Sequence, residues 1–418
     1  MLKEYSPYLE YRGEELYLDG VFIRELAQEF GTPLYVYSAS HIRDRIRAYK
    51  EAFPNAIICY AIKANFNPEV IKLVKEEGAG ADIVSGGELY ASLLVGMEPS
   101  KIVYAGVGKT VKELEYGINA DILMFNAESR MELEVLSELS QRLGKRVRVA
   151  IRVNPDVDPK THPYISTGMK KSKFGIDIKY AREEYEYARK LKGLDIVGIH
   201  CHIGSQILDV SPYVEATQKV LDLYQELLKS GFDIRYINLG GGLGIKYKPD
   251  QANPEPLDLS EAVLPQLKDT EAQLILEPGR SIVGNAGVLI TQVQFLKDKG
   301  HKHFIIVDAG MNDLVRPAMY EAYHHIVPVM KRETGYIKSD IVGPICETGD
   351  FLALDREVQK VERGDYLAVL SAGAYGFAMS SNYNARQKAC EVLVEKGRHR
   401  VIREREGYEH VFQSEVRG

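Results

Sequence analysis

The stretch Ala56-Ile57-Ile58-Cys59-Tyr60-Ala61-Ile62-Lys63-Ala64 decides the fold, because it is uncharged up to Lys63 and rich in β-branched and aromatic residues. A run of this kind predicts a strand that is buried on both faces, as strands are in a parallel sheet. Similar runs recur and alternate with amphipathic helical stretches such as Ser129–Leu143 and Ser211–Lys229. The other predicted strands of the series are Ala81–Ser85, Ile102–Gly106, Asp121–Asn126, Val147–Asn154, Ile196–Ile203, Tyr236–Leu239 and Gln273–Glu277.

These strand–helix repeats predict a (β/α)8 TIM-type barrel of the α/β class, which explains their number better than an open doubly wound sheet. After Gly287 the pattern changes to short strands joined by turns, and Tyr8–Phe22 also has the composition of strands. We therefore predict that residues 33–283 form the barrel. Residues 1–32 and 284–418 are predicted to form a C-terminal β-sandwich or β-barrel domain that completes the active site.

Composition and charge limit the functions that the chain can have. It carries a formal net charge of −6 and its basic residues are scattered, so nucleic-acid binding is not expected. The cysteines, at positions 59, 201, 346 and 390, form no CxxC pair, which favours a reducing compartment. The first residues do not resemble a signal peptide and no apolar run is long enough to span a membrane. A cytoplasmic protein without a membrane partner is therefore expected.

Lys63 ends the first predicted strand, and barrels place their chemistry at the carboxyl ends of the strands. Burial lowers the pKa of a lysine, because it disfavours the ammonium form, and leaves an amine that can attack an aldehyde. An isolated strand-end lysine more often extends its side chain into solvent. Other unusual polar residues, among them Asp82 and Asn126, fall at the same ends of their strands, which favours the functional interpretation.

Two segments with glycines follow later strands. The run Gly240-Gly241-Gly242 could form a nest of backbone amides for a phosphate. It is not a dinucleotide-binding fingerprint, because Ile245 stands where that pattern needs glycine. The second segment is Leu276-Glu277-Pro278-Gly279-Arg280-Ser281, at the end of the last predicted strand. Its Glu277 could keep the pyridine nitrogen of a bound cofactor protonated, the state in which such a ring best withdraws electrons. A structural salt bridge between Glu277 and Arg280 is the alternative.

Two histidines, His200 and His202, lie at alternating positions and so on the same side of a predicted strand. No third ligand motif accompanies them, so we do not predict a metal site. We interpret His202 as a residue that stacks on a ring, with Ser205 donating a hydrogen bond to a phosphate. His200 is interpreted as a core histidine.

The predicted β domain carries a second set of candidates. A thiol at Cys346 could supply a proton and the neighbouring Glu347 could hold an amine, although a buried inert cysteine is the common alternative. Arg316, four residues before Tyr320, has a guanidinium fork that matches a carboxylate. Tyr375 could donate to a phosphate or to a substrate.

In their order along nearly the whole chain, these motifs resemble those of the diaminopimelate decarboxylases, which belong to the alanine-racemase-like, fold-type III class of pyridoxal-phosphate enzymes. The resemblance implies that Lys63 carries pyridoxal 5'-phosphate, that His202 stacks on the cofactor ring and that Glu277 contacts its nitrogen. The residues that it implies for the phosphate are Ser205, Gly240, Gly241, Gly242, Gly279 and Tyr375.

The resemblance also implies a substrate and an assembly. The expected reaction is the decarboxylation of meso-2,6-diaminopimelate to L-lysine and CO2, the last step of lysine biosynthesis. The expected assembly is a homodimer with active sites shared between subunits, in which Cys346 is the acid or substrate-facing thiol. The residues implied for the substrate are Arg280, Arg316 and Tyr320 at the distal carboxylate, Glu347 at the distal amine, and Tyr375.

Three alternatives stay open. A related decarboxylase of lysine, ornithine or carboxynorspermidine would leave Arg280 and Arg316 without a distal carboxylate to bind, which favours diaminopimelate. An alanine racemase would be expected to have an arginine at the pyridine nitrogen instead of Glu277. A non-catalytic protein that binds pyridoxal phosphate would be expected to have lost residues such as Cys346 and Tyr375, which are present.

Overall fold

The computed structural model describes residues 2–159, 161 and 173–412. The strands are β1 Leu9–Arg12, β2 Glu15–Leu18, β3 Val21–Phe22, β4 Leu34–Ser38, β5 Ile57–Ala61, β6 Gly80–Ile83, β7 Ile102–Tyr104, β8 Met124–Ala127, β9 Val147–Asn154, β10 Ile176–Asp177, β11 Leu194–His200, β12 Tyr236–Asn238, β13 Gln273–Leu276, β14 Gly287–Asp298, β15 His303–Val307, β16 Ile326–Pro328, β17 Tyr336–Val342, β18 Phe351–Gln359, β19 Tyr366–Val369, β20 Cys390–Glu395 and β21 Arg398–Arg403. The helices are α1 Ile23–Phe30, α2 Ala39–Ala52, α3 Pro68–Glu76, α4 Gly86–Leu94, α5 Val111–Ala120, α6 Arg130–Leu143, α7 Ile178–Ala188, α8 Ser211–Lys229, α9 Pro256–Leu267, α10 Arg280–Val283, α11 Arg316–Tyr320 and α12 Tyr408–Phe412.

The described residues divide into two compact units. The barrel unit comprises the described parts of Arg45–Ile245 and Asn253–Ser281, and the sheet unit comprises those of Met1–Asp44, Lys246–Ala252 and Ile282–Gly418. Within the described ranges, none of the helices has the length and apolar character needed to cross a membrane. The domain boundaries proposed from the sequence stay a prediction.

Parallel strands close the barrel unit on itself. The strands pair in the order β5, β6, β7, β8, β9, β11, β12 and β13, and β13 pairs back with β5. The predicted (β/α)8 barrel is confirmed, and its strands differ from the predicted ranges only near their ends. All residues of β6, β7 and β8 are buried, which explains why these strands are mostly apolar and why Asp82 and Asn126 are unusual in them.

Helix caps fix the loops at the carboxyl ends of the barrel strands. Ser85, Thr110 and Ser129 cap α4, α5 and α6, and each side-chain oxygen accepts a hydrogen bond from the backbone N–H three residues later. Each capped helix follows a barrel strand within a few residues. Because a cap satisfies a helix N–H that would otherwise lack a partner, these loops have a defined geometry on the side where the candidate residues lie.

The sheet unit contains a large sheet and a small one. The large sheet runs β18, β17, β15, β14, β4, β20 and β21, with β19 pairing with β14 and β16, and β1–β3 form a separate three-stranded sheet. Its core contains Leu9 and Leu16 from the first strands together with Val36, Val288 and Val392. The predicted sheet domain after the barrel is confirmed, with the opening strands packed into the same core.

Strand β4 belongs to this sheet unit and not to the barrel. It pairs antiparallel with β14 and parallel with β20. The segment falls within the barrel range predicted above, because a buried apolar run followed by a helix has the pattern of a βα unit whichever sheet it joins.

Candidate active site

Lys63 lies just beyond the first barrel strand, in the 3-10 turn Ile62–Ala64. Its Nζ lies 2.7 Å from Oδ2 of Asp82, whose side chain is fully buried, whereas the side chain of Lys63 is 36% exposed. Burial, followed by the charge of Glu277, raises the pKa of Asp82, and the ammonium of Lys63 opposes this rise. The buried carboxylate of Asp82 therefore fixes the position of the lysine amine at the end of its strand.

Glu277 follows β13 and is held by side chains from three other barrel strands. Its Oε1 accepts hydrogen bonds from Nδ2 of Asn238 at 2.6 Å and from Nδ2 of Asn126 at 3.3 Å. Its Oε2 lies 3.2 Å from Nε2 of His200. Burial alone would raise the pKa of Glu277, but the charge and hydrogen bond of His200, with the charge of Lys63, hold it below its usual range. Glu277 is therefore an ionised carboxylate in a buried position.

His202 presents a neutral imidazole of defined orientation. Its Nδ1 accepts a hydrogen bond from the backbone N–H of Gly241 at 3.1 Å. Desolvation, with the positive charges of Arg152 and Lys63, lowers the pKa of His202 well below its ordinary value. Since Nδ1 is the acceptor, the proton of the neutral ring is on Nε2. A neutral ring of this kind can lie against an aromatic ring without a charge to desolvate.

The glycine run packs so closely against neighbouring backbone that it admits no side chain. A Cβ on Gly241 would lie 2.0 Å from the carbonyl oxygen of Glu277, and one on Gly242 would lie 2.2 Å from that of Gly204. Gly240 and Gly242 also have positive φ angles, of 70° and 107°, which glycine adopts without steric cost. Only glycine lets the backbone follow this path, and a bare backbone of this kind can approach a phosphate closely.

Ser205, predicted for the phosphate, is in contact with Arg280, which was predicted for the substrate carboxylate. The Nη2 of Arg280 donates to Oγ of Ser205 at 3.0 Å, and its guanidinium is almost fully buried. Gly279 precedes Arg280, and a Cβ there would lie 2.9 Å from Cβ of Ala61 on β5. An anion bound by Ser205 would therefore have a buried positive charge next to it.

The sheet unit carries a second group of candidates, in which Arg316 is fixed most firmly. Arg316 begins α11 and is 6% exposed. Its Nη1 lies 2.8 Å from Nε2 of His324, and its guanidinium carbon lies 4.7 Å from the centre of the Tyr247 ring. Tyr320 ends the same helix. Arg316 is thus a buried cation whose guanidinium is held both at an edge and at a face.

Cys346 and Glu347 lie in a turn that a buried carboxylate stabilises. The oxygens of Asp350 accept hydrogen bonds from two backbone N–H groups, one of them within the turn, each at 2.6 Å. The thiol-bearing residue Cys346 is exposed, and its N–H donates to Oδ1 of Asn384 at 3.0 Å. The Oε2 atom of Glu347 accepts from the hydroxyl of Tyr383 at 2.9 Å. The turn therefore presents a thiol and a carboxylate at the surface of the sheet unit.

Tyr375 adopts a left-handed backbone conformation, with φ of 56°. This region is costly for a residue with a side chain and persists only where the surroundings hold it. The preceding turn is tightly packed, since a Cβ on Gly373 would lie 1.9 Å from the carbonyl oxygen of Val283. Backbone strain of this kind is concentrated at functional positions. The binding role of Tyr375 stays a prediction.

Comparison with known proteins identifies the class of the barrel. The family model described as "Pyridoxal-dependent decarboxylase, pyridoxal binding domain" matches residues 39–284, which is more than half of the chain. The barrel is therefore that of a pyridoxal-dependent decarboxylase.

Relatives of known name narrow this class further. The diaminopimelate decarboxylase of Aquifex aeolicus is 66% identical over 413 residues, which cover 99% of this chain and 98% of that protein. A crystal structure of diaminopimelate decarboxylase from M. jannaschii in complex with L-lysine superimposes with a TM-score of 0.95 at 43% identity and covers 99% of both chains. For the Helicobacter pylori enzyme complexed with L-lysine, the TM-score is 0.91 at 42% identity, covering 94% of this chain and 99% of that one. The chain belongs to the diaminopimelate decarboxylase family.

The sequence does not predict which polar groups support the candidate residues. Asp82 and Asn126 are recognisable as unusual polar residues in apolar strands, but their partners, Lys63 and Glu277, lie on other strands. His200 is buried as expected for a core histidine, and its contact with Glu277 gives it a place beside the site. The signal available in the sequence is the polar residue at a strand end, and this signal does not identify the partner.

Proposed function

We propose that this chain decarboxylates meso-2,6-diaminopimelate to L-lysine and CO2, the last step of lysine biosynthesis, with pyridoxal 5'-phosphate as its cofactor. The observation that carries the proposal is the buried carboxylate of Glu277, which Asn126, Asn238 and His200 hold in place, in a chain that matches a diaminopimelate decarboxylase over 99% of its length. An anionic partner favours a protonated pyridine nitrogen, which makes the ring the strong electron acceptor that decarboxylation needs. We propose a cytoplasmic location, which the free cysteines of the described structure support.

The barrel residues fit this cofactor. A carboxylate offers about four lone-pair sites, and Glu277 uses some of them to accept from Asn126 and Asn238 and to meet His200. This leaves Glu277 able to accept a hydrogen bond from a protonated ring nitrogen. The bare backbone of the glycine run and the Ser205 hydroxyl beside a buried guanidinium have the chemistry that binds a phosphate.

When bound, the cofactor supplies the electron sink for the electron pair that remains as CO2 leaves. Lys63 would carry the cofactor, with Asp82 holding its amine in place. Glu277 would keep a proton on the ring nitrogen, and the neutral His202 would lie against the ring. The residues proposed for the phosphate are Ser205, Gly240, Gly241, Gly242, Gly279 and Tyr375.

Substrate recognition requires cations for the distal carboxylate. Arg316 is held by its surroundings in the sheet unit, and a guanidinium fork can bind both oxygens of a carboxylate. We propose that Arg280 and Tyr320 assist it and that Glu347 holds the distal amine. Tyr375 would contact the substrate, and Cys346 would act as the proton donor or substrate-facing thiol.

The proposed function predicts that the purified, cofactor-loaded protein releases CO2 and L-lysine from meso-diaminopimelate. L-lysine, L-ornithine and carboxynorspermidine, offered separately, are expected to release little or no CO2. Each has only the one carboxylate that would have to be lost, and no second, distal carboxylate for Arg316 to bind. Measurement of CO2 together with product identity tests this. Preferential turnover of one of the other substrates would support the proposed cofactor and contradict the proposed substrate. Absence of CO2 from all four would revive the racemase and non-catalytic alternatives.

We further propose a homodimer in which each active site needs two chains, and the exposed position of Cys346 supports this arrangement. A mixture of Lys63→Ala and Cys346→Ala variants is then expected to regain activity after subunit exchange. Half of the dimers formed at random are mixed and one of their two sites is intact, so recovery should approach about a quarter of the wild-type rate. The readout is CO2 release before and after exchange.

The control mixture combines Lys63→Ala with Glu277→Gln, two changes in the barrel unit. Each mixed dimer would then have a defect in both barrels, and no recovery is expected. Continued inactivity of the Lys63→Ala and Cys346→Ala mixture, with exchange verified by mass spectrometry of differently labelled chains, would contradict shared sites.

A further inference from the structure

We infer that His324 is a positioning residue for Arg316 and thereby determines the selectivity of the site for ligands with a distal carboxylate. The inference rests on the proposed role of Arg316 in binding that carboxylate. It concerns a histidine that belongs to none of the motifs in the sequence and that is fully buried in the sheet unit.

The hydrogen bonds of His324 define its protonation state. Its Nδ1 lies 2.8 Å from the carbonyl oxygen of Leu370, and its Nε2 lies 2.8 Å from Nη1 of Arg316. A carbonyl oxygen can only accept, so the proton of the ring is on Nδ1. A guanidinium can only donate, so Nε2 must offer its lone pair. His324 is therefore a neutral imidazole in a single tautomer, and it acts as the acceptor for a buried cation.

Two rings together restrict the guanidinium of Arg316. His324 accepts from its edge, and the ring of Tyr247 lies against its face at 4.7 Å. The two rings also meet each other edge to face, with centres 5.2 Å apart. An arginine side chain loses much rotamer entropy when it is ordered. Because its surroundings already hold Arg316 in place, less of this cost falls on ligand binding.

The bond from Arg316 uses one of the five N–H donors of a guanidinium, and a carboxylate needs two parallel donors. Removal of the acceptor at Nε2 would leave a buried donor of a charged group without its partner. We expect this loss to weaken binding of a carboxylate ligand by about tenfold to a hundredfold, the range for hydrogen bonds to charged groups. The affinity for ligands without the carboxylate should not change.

Matched variants separate the two hydrogen bonds of His324. In His324→Gln, the amide oxygen can replace Nε2 as the acceptor for Arg316. In His324→Asn, the amide nitrogen can replace Nδ1 as the donor to Leu370, but the acceptor for Arg316 is lost. The control is His325→Asn, which changes the adjacent histidine, whose ring stacks on Tyr5 at 5.5 Å.

The measurement compares inhibition of meso-diaminopimelate decarboxylation by L-lysine and by cadaverine. L-lysine is the product and keeps the distal carboxylate of the substrate, and cadaverine is L-lysine without that carboxylate. In His324→Asn the inhibition constant of L-lysine and the KM of the substrate should rise about tenfold or more, while kcat and the inhibition constant of cadaverine stay near wild type. His324→Gln should restore most of the affinity for L-lysine, and His325→Asn should resemble wild type.

Two results would overturn the inference while the proposed function stands. One is an unchanged inhibition constant for L-lysine in an active His324→Asn enzyme, and the other is an equal rise for both inhibitors, which would indicate general damage. If His324→Asn does not fold, nitrogen-15 NMR of histidine-labelled wild-type protein decides, with the resonance assigned by its loss in His324→Gln. The expected state is protonated at Nδ1 only, and protonation at Nε2 would contradict it. A wild-type enzyme that releases no CO2 from diaminopimelate would refute the proposed function and this inference together.

Discussion

Replacement of Lys63 by alanine is expected to abolish CO2 release from meso-diaminopimelate and to remove the visible absorbance of covalently bound pyridoxal phosphate. Loss of the residue that carries a covalent intermediate costs several orders of magnitude, at least about a thousandfold in kcat. Asp82 holds the amine of Lys63 at 2.7 Å, at the carboxyl end of the first barrel strand. Absorbance spectra and CO2 release, measured on the same cofactor-soaked samples, test both expectations.

A matched control is Lys72→Ala, which removes an exposed lysine from α3 in the same part of the chain. This variant should keep the wild-type rate and spectrum. Normal turnover by Lys63→Ala would refute the assignment of the cofactor lysine. Loss of turnover with an unchanged spectrum would mean that a different lysine carries the cofactor, so the two readouts together distinguish the roles.

The barrel could be predicted because each of its strands has a recognisable pattern in its own stretch of sequence. Segments such as Ile102–Tyr104 are buried throughout and contain no charged residue, and capped helices follow many of the barrel strands at regular intervals. The segment Leu34–Ser38 has the same local pattern but joins the other unit, where its partners are Gly287–Ile290 and Cys390–Val394. A local sequence pattern contains no information about pairing partners that are so far away along the chain. The sheet that this strand joins could therefore not be predicted from the sequence of the strand.

The residues of the candidate site also fall into two groups, those that a local motif identifies and those that only a contact in the fold identifies. Residues inside a motif, such as Glu277 and His202, could be proposed from the neighbours that define the motif. Residues that act through a contact were not, and Asn238, which donates to Glu277, and His324, which accepts from Arg316, are examples. Their function depends on a distance across the fold, and residue type alone carries no information about that distance.

Glu277→Gln is expected to lower kcat about a hundredfold while the absorbance of bound cofactor persists, because Lys63 is unchanged. Glutamine can still accept from Asn238 through its carbonyl oxygen, but it lacks the negative charge that favours a protonated ring nitrogen. Loss of one preorganised electrostatic partner in a buried site costs about 100-fold to 1000-fold. Steady-state rates and spectra of the cofactor-loaded variant test this, with the exposed Glu271→Gln as the control for the loss of a carboxylate from the same unit.

The pH dependence of this loss follows from the pKa of Glu277. The folded protein holds that pKa below its usual range, chiefly through His200 and Lys63 acting against the effect of burial. For a carboxyl group with a depressed pKa, the favourable interactions of the ionised form are complete above the ordinary pKa and are lost only as the pH falls through the depressed one. Wild-type Glu277 should thus stay ionised throughout the neutral range, and the ratio of wild-type to variant kcat should be constant from about pH 6 to 9. A ratio that falls towards one at the acidic end of this range would mean that Glu277 is protonated there and would contradict its assignment as a permanent anion.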